Sequence, residues 1–464
     1  MLRFLMIIVA IFACAGAPAR GAEMGLSANG DCVPLCQIPG IRTLNTGTGH
    51  ATSLFAQINT SPTMVVQYDG QRCYADMVPG TDTGINFHMP DGQLYHTQAQ
   101  RYCPTFFFTP ATDENTYSFQ IAAAGEYTIL WGDGTIETIN KTTITQEIIS
   151  HTYDDAASAH EIGIGGKATR YNGGNTYQHA AISFYDGTTK NTFQIKSMRG
   201  CLGCIFSSLP EGTTGTLQPK FIYTFAYNKT LTSQLPPDLF TGLSGAPASY
   251  MFMSTFFNSN NISGSIPETL FADLAGPMGA YMFQSTFNGC SGLSGPIPEK
   301  LFWGLSTPSG SALNATFYGC KGLTGSIPEK LFATIQGDTA NGLFYGTFGG
   351  CSGLTGEIPE NLFSGISGET KPFLFHGTFK NCSNLTGEIP EKLFADITAS
   401  DTFVNAFAET FYNCKNLTGP SARINNKYLY ELWPNVQTTQ STYYNDKLLD
   451  DYDSMPSIWN SLPN

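Results

Sequence analysis

The sequence predicts a multidomain protein in which all-β modules lead into a repeat solenoid of mixed α/β character. Three observations carry that expectation. Short alternating runs broken by Asp-Gly and Gly-Asp-Gly fill the chain before residue 200. The same landmarks then recur every 30 to 32 residues, and charge is sparse, with Gly, Ser, Thr and Asn in its place.

Composition bounds the function classes. Charged residues make up 13% of 464 positions, about half the usual share. The net charge of -13 argues against a nucleic-acid partner, because neutralising phosphates takes clustered Lys and Arg. The N-terminus reads as a secretory signal over residues 1–22: Arg3, an apolar core from Phe4 to Ala15, then Ala17-Pro18-Ala19. Ile11-Phe12-Ala13-Cys14 loosely matches a lipoprotein box, so lipid anchoring at Cys14 stands as the alternative. No later segment is apolar for long enough to span a bilayer. The expected location is secreted or at the cell surface.

Residues 23–110 read as a small Cys-containing β module, with hairpin signals at Asp69-Gly70 and Asp91-Gly92. Cys32, Cys36, Cys73 and Cys103 allow two bridges in three pairings. Residues 111–200 alternate more clearly, from Tyr117–Ile121 through Glu126–Trp131 and onward, as a β-sandwich does. Cys201 and Cys204 open a 201–220 N-terminal cap and read as a local bridge or two buried thiols. A redox site there lacks the βαβ context it needs.

From residue 221 to 420 the chain repeats. A Thr-Phe pair places Phe225, Phe256, Phe287, Phe317, Phe348, Phe379 and Phe411, and Pro236, Pro267, Pro298, Pro328, Pro359 and Pro390 keep phase with the first six. Phe283, Phe287 and Cys290 fall at i, i+4 and i+7, which predicts a helical turn or two. Leu293-Ser-Gly-Pro-Ile297 predicts a short strand, and Pro298-Glu299 predicts a second helix start, with Ile297, Leu301 and Leu305 facing inward. The aromatic-rich residues 421–464 break the period and read as a C-terminal cap.

Two resemblances attach to these residues. Trp131-Gly-Asp-Gly-Thr135 with His151-Thr-Tyr153 resembles the signatures of PKD-type immunoglobulin-like domains, which implies a sandwich over 111–200. Cys320-Lys-Gly-Leu323-Thr-Gly-Ser-Ile327-Pro-Glu-Lys-Leu331-Phe332, with copies at Cys351, Cys382 and partly Cys414, resembles leucine-rich repeats. Its Thr-Phe-to-Cys core is similar to the BspA-like repeats of bacterial surface proteins, although these units are longer. The resemblance implies an α/β leucine-rich-repeat-like solenoid, surface display and an adhesion-type role, and brings no catalytic residues with it.

The conspicuous ladders have structural readings. Cys290, Cys320, Cys351, Cys382 and Cys414 suit a small inward position, which Asn228 and Ser259 fill in the first two units. Glu268, Glu299, Glu329, Glu360 and Glu391 sit identically in each unit, unlike the unique acid pair a glycosidase needs. Asp133 between two glycines suits a turn better than a calcium loop. Hence no catalytic, cofactor or metal residues are assigned, binding residues stay unassigned, and the chain reads as non-enzymatic. The connectors that vary most are 244–250, 275–280, 306–312, 336–342, 367–373 and 398–405. The expected partner is an extracellular protein or glycan, with oligomeric state open. The alternative is a self-associating structural component of the envelope, and less so a polysaccharide-active enzyme.

Overall fold

The computed structural model describes residues 104–462 apart from 212, 214–215, 401–404 and 435–439, and before residue 104 it describes only the backbone of seven strands. The signal segment 1–22, Cys14, Cys36 and Cys103 lie outside the described residues, as do the side chains of Cys32 and Cys73.

The early strands are β1 (Met24–Leu26), β2 (Cys32–Pro34), β3 (Ala51–Ala56), β4 (Thr63–Tyr68), β5 (Gln71–Met77), β6 (Gly84–His88) and β7 (Leu94–Gln98). β3 to β7 form an antiparallel meander in which Tyr68 pairs with Gln71, so Asp69-Gly70 is a two-residue connection. There follow β8 (Pro104–Pro110), β9 (Thr116–Ile121), β10 (Ala124–Leu130), β11 (Ile136–Lys141), β12 (Glu147–Thr152), β13 (Ile162–Arg170), β14 (Ile182–Ser183) and β15 (Ile195–Gly200).

The chain divides into two compact units. The first comprises Met1–Thr105, Glu126–Ile139 and Ile162–Gly166, and the second holds the rest. In the first, the Trp131–Thr135 turn closes with the Trp131 N–H on the Thr135 carbonyl at 3.0 Å. Asp133 accepts the Thr135 N–H at 2.8 Å, an Asx-turn that uses its carboxylate structurally.

In the second unit, β9 is the centre of a three-stranded sheet between β12 and β14, and β8 pairs antiparallel with β15. Phe108 of β8 packs on Phe119 of β9 at 5.7 Å and on Phe184 at 4.8 Å, so alternate strand residues build an aromatic core.

Beyond residue 220 the fold differs from expectation. No α-helix lies between residues 221 and 420 among the described residues, and the α-helices present are α1 (Leu429–Leu432) and α2 (Ser457–Asn460). The α/β leucine-rich-repeat-like solenoid is therefore not the fold of this chain, which is made mostly of β-sheet and turn. The backbone between Tyr281 and Cys290 explains why. Gln284, Thr286, Asn288 and Cys290 donate their N–H groups three residues back, to Tyr281, Phe283, Ser285 and Phe287. The intervening N–H groups of Phe283, Ser285, Phe287 and Gly289 donate instead to Ala312, Asn314, Thr316 and Tyr318 in the next unit, at 2.8–2.9 Å.

A helix keeps φ negative and bonds every N–H four residues back. Here Tyr281, Ser285 and Gly289 have φ of 57°, 54° and 78°. Every second turn thus carries a left-handed residue at its third position, as type II turns do. The result is a ribbon of consecutive turns with a four-residue side-chain period. That period is so near 3.6 that Phe283, Phe287 and Cys290 read as helical. The Pro-Glu segments are likewise isolated turns, as where Leu301 donates to Pro298 at 3.3 Å and Leu305 to Phe302 at 3.0 Å.

The expected Leu-x-Gly-x-Ile sheet shrinks to parallel pairings one or two residues long, Gly295 with Leu323, Gly325 with Leu354, Gly356 with Leu385, and Gly387–Glu388 with Leu417–Thr418. A second parallel ladder runs through the connectors. β16 (Gly337–Asp338), β17 (Ile366–Glu369), β18 (Gly387–Glu388), β19 (Ile397–Thr398) and β20 (Leu417–Thr418) complete the repeats, with β16, β17 and β19 adjacent in that order. β21 (Arg423–Ile424) and β22 (Lys427–Tyr428) form a hairpin before α1.

Between the two ladders lies a core of stacked rings. Phe184, Phe225, Phe256, Phe287, Phe317, Phe348, Phe379 and Phe411 follow one another at 5.2–5.9 Å, and the interplanar angles stay at or below 13°. All are fully buried. A buried Phe contributes roughly 1.5–3 kcal/mol by area, and ring pairs add about 0.5–1.5 kcal/mol. The register continues past residue 420, because Glu409, Phe411 and Asn413 donate to Gln440, Thr442 and Tyr444, and Tyr443 stacks on Phe411 at 5.8 Å. Tyr443 and Asp446 stand where earlier units have Phe and Cys, which hides this unit from a search for Thr-Phe and Cys. Trp459 of α2 is 1% exposed and accepts the Tyr443 N–H at its carbonyl, covering the last ribbon.

Candidate binding face

Each ribbon spends its repeated residues on the core. The threonines are fully buried, and each hydroxyl bonds a main-chain carbonyl one unit back, as Thr347 does to Leu313 at 2.9 Å and Thr378 to Phe344 at 2.8 Å. The cysteines do the same with sulfur. Cys290, Cys320, Cys351, Cys382 and Cys414 donate to Phe256, Phe287, Phe317, Phe348 and Phe379 at 2.9–3.0 Å. Ser259 bonds the Phe225 carbonyl from the same place, so hydroxyl and thiol are interchangeable donors there. Burial pushes these thiols up, Cys382 to about 12, away from the thiolate that redox or metal chemistry uses. Cys201 and Cys204 form a disulfide, the local bridge of the two alternatives.

The glutamates of the Pro-Glu turns are exposed, one per unit. Glu329, Glu357, Glu360 and Glu388 rim an open groove of about 820 Å³ floored by Ile327 and Ile358. Lys392 lies 3.4 Å from Glu360. Among the described residues, no group of three or more His, Cys, Asp and Glu is placed to hold a metal ion.

What remains are the ribbon positions that alternate with the core and do not repeat: three before, two before and one after each core Phe. In the early units they carry Tyr223, Met253 and Phe257, in the middle ones Gln284, Asn288 and Asn314, and later Tyr318, Tyr345, His376, Lys380, Glu409 and Tyr412. The later set forms one connected cluster. Tyr345 and His376 stack at 4.7 Å with planes 4° apart, and Phe373 approaches His376 edge-on at 5.7 Å. Glu409 receives Lys380 at 2.6 Å and lies 3.5 Å from His376 Nε2. His376 and Lys380 together hold its carboxyl down to about 2 against its partial burial. Lys380 also stands over Tyr412 at 4.9 Å, and Tyr412 stacks on Tyr444 at 4.7 Å.

Two glycines shape this face. Gly346, at φ 58°, carries no side chain that would crowd the Tyr318 ring, and a Cβ built there comes within 3.2 Å of that ring. A Cβ at Gly349 comes within 2.7 Å. Tyr318 therefore lies across bare backbone. It is 36% exposed, and Phe373 is 38% exposed.

The connectors that vary most are tied into the parallel ladder, as where the Thr370 N–H donates to the Thr398 carbonyl at 2.9 Å. The outward ribbon residues were missed because each sits beside an invariant one. No helix among the described residues is long and apolar enough to cross a membrane. No family model, no curated protein and no solved structure matches the chain, so no residue role is carried over from a relative.

Proposed function

We propose that this protein is an exported, surface-associated binding protein of adhesion type, without catalytic activity, whose ligand is a glycan held on the outward face of the turn ribbons. The observation that carries the reading is the division of labour within each ribbon. The repeated Phe, Thr and Cys of each ribbon are buried in the stack, while the non-repeating positions gather Tyr318, Tyr345, His376, Lys380, Glu409 and Tyr412 into one surface cluster with Phe373. Half-exposed tyrosines offer an apolar ring face to the C–H face of a sugar and a hydroxyl to its rim, at low entropic cost. Lys380 and Glu409 are already fixed by each other, so they present oriented polar atoms. Export rests on the Arg3 and Phe4–Ala15 signal pattern.

The test is a glycan array followed by calorimetric titration with the mature chain and with a Tyr318→Ala/Phe373→Ala double variant. Both rings lie on the surface, at 36% and 38% exposure, so the variant stays folded with a small drop in melting temperature and loses at least tenfold in affinity. Equal affinity of the two proteins sinks the assignment of the face. Binding to extracellular proteins but to no glycan replaces the ligand class.

A further inference from the structure

The last ribbon contains a carboxylic acid where its neighbours carry a thiol. In the unit before it, Cys414 reaches back 35 residues and donates to the Phe379 carbonyl at 2.9 Å. Thirty-five residues beyond Phe411 stands Asp446. The two pairs of ribbons share one register. Phe379 and Asn381 donate to Thr410 and Tyr412, as Phe411 and Asn413 do to Thr442 and Tyr444. Asp446 is fully buried, neither carboxyl oxygen makes a hydrogen bond of ordinary geometry, and the main-chain N–H of Cys414, already given to the Phe411 carbonyl, faces the group. A carboxylate only accepts, whereas this place in the ladder calls for a donor toward a carbonyl.

We infer that Asp446 is held as the neutral acid, that its O–H replaces the cysteine thiol as donor to the Phe411 carbonyl, and that the final ribbon with α2 forms a closure released when this proton is lost. The titratable groups that face Asp446 are Cys414 in the preceding ribbon, Tyr443 in its own and Tyr452 beyond it, none of them a cation. Burial accordingly pushes the carboxyl well above the ordinary aspartate range. Deprotonation moves the proton to solvent and leaves a buried carboxylate against a carbonyl oxygen, which ribbon opening relieves by hydration. A raised acid pKa stabilises the closed form fully below the unfolded value near 4 and less with each step upward in pH. The opening equilibrium therefore rises about tenfold per pH unit across the interval between the open and closed pKa values.

Hydrogen exchange of peptides covering Phe411 and Asn413 reads this opening, after correction for intrinsic base catalysis, with the Phe348–Cys382 ribbon as internal reference. The wild-type chain is expected to show the tenfold-per-unit slope above pH 4 at the last ribbon alone. Asp446→Asn and Asp446→Cys both supply a donor without an ionisable carboxyl, and both are expected to flatten the slope. A wild-type profile as flat as theirs overturns the inference, as does a slope that survives in Asp446→Cys. Should Asp446→Asn fail to fold, the cysteine variant decides alone, because it reproduces the donor of the five preceding units.

Discussion

Cys351 donates its thiol hydrogen to the carbonyl of Phe317, one unit back, at 2.9 Å. That bond gives the cysteine ladder a role in which sulfur acts as a small buried donor. Replacing Cys351 with Ser is therefore expected to leave stability within about 1 kcal/mol, because Ser259 serves the same purpose, whereas Cys351→Ala leaves the carbonyl short of a partner and costs roughly 1–3 kcal/mol. Urea midpoints of the two variants separate them. None of the five thiols should react with a maleimide in the native protein, and fast labelling of any of them contradicts the buried ladder.

The stacked rings make a second contrast. Phe348 lies between Phe317 and Phe379 at 5.9 and 5.8 Å, and its removal is expected to cost about 3–5 kcal/mol. Phe373 is 38% exposed on the outward face, and its removal should stay within about 0.5 kcal/mol. Thermal melts of Phe348→Ala and Phe373→Ala measure both, and similar losses would argue against a core-and-face division.

Glu409 gives a pH dependence of opposite sign to that of Asp446. His376 and Lys380 depress its folded pKa to about 2, below the unfolded value of about 4.3. Its stabilising contribution is thus complete above the unfolded value and disappears as pH falls through 4 toward 2. Glu409→Gln should be less stable than wild type at pH 6, and the gap should close by pH 2. A gap independent of pH would remove the ion cluster as its cause.

Tyr318 offers a second test of the face. A methyl at Gly349 comes within 2.7 Å of the Tyr318 ring while φ there needs no left-handed backbone. Gly349→Ala is expected to lift that ring and weaken glycan binding several-fold. Unchanged affinity alongside a displaced ring, seen in the Tyr fluorescence of the variant, would place the ligand elsewhere.

The inward residues were legible from spacing alone: Phe287, Cys290, Leu293, Ile297 and Leu301 all lie in the core. The backbone joining them was not, because a turn ribbon of period four and a helix of period 3.6 put the same side chains on one face over seven residues. A discriminating signal was present in the residue before each cysteine. Gly289, Gly319, Gly350, Asn381 and Asn413 are the residue types that tolerate positive φ, and all five adopt it. The outward cluster was illegible for another reason. Tyr345, His376 and Glu409 become neighbours only through pairing between units, which no single repeat encodes.

The alternation of bonds along each ribbon also bears on how such a chain grows and shrinks. Half of the N–H groups between Tyr281 and Gly289 find acceptors only in the following unit, so no unit is complete by itself and each serves as the template for the next. Deleting or duplicating one whole period by recombination preserves every such pairing, while a cut within a period strands a row of donors. The number of units is thereby a quantity that inheritance can adjust in whole steps, lengthening or shortening the outward face of the ribbons without redesigning their interior.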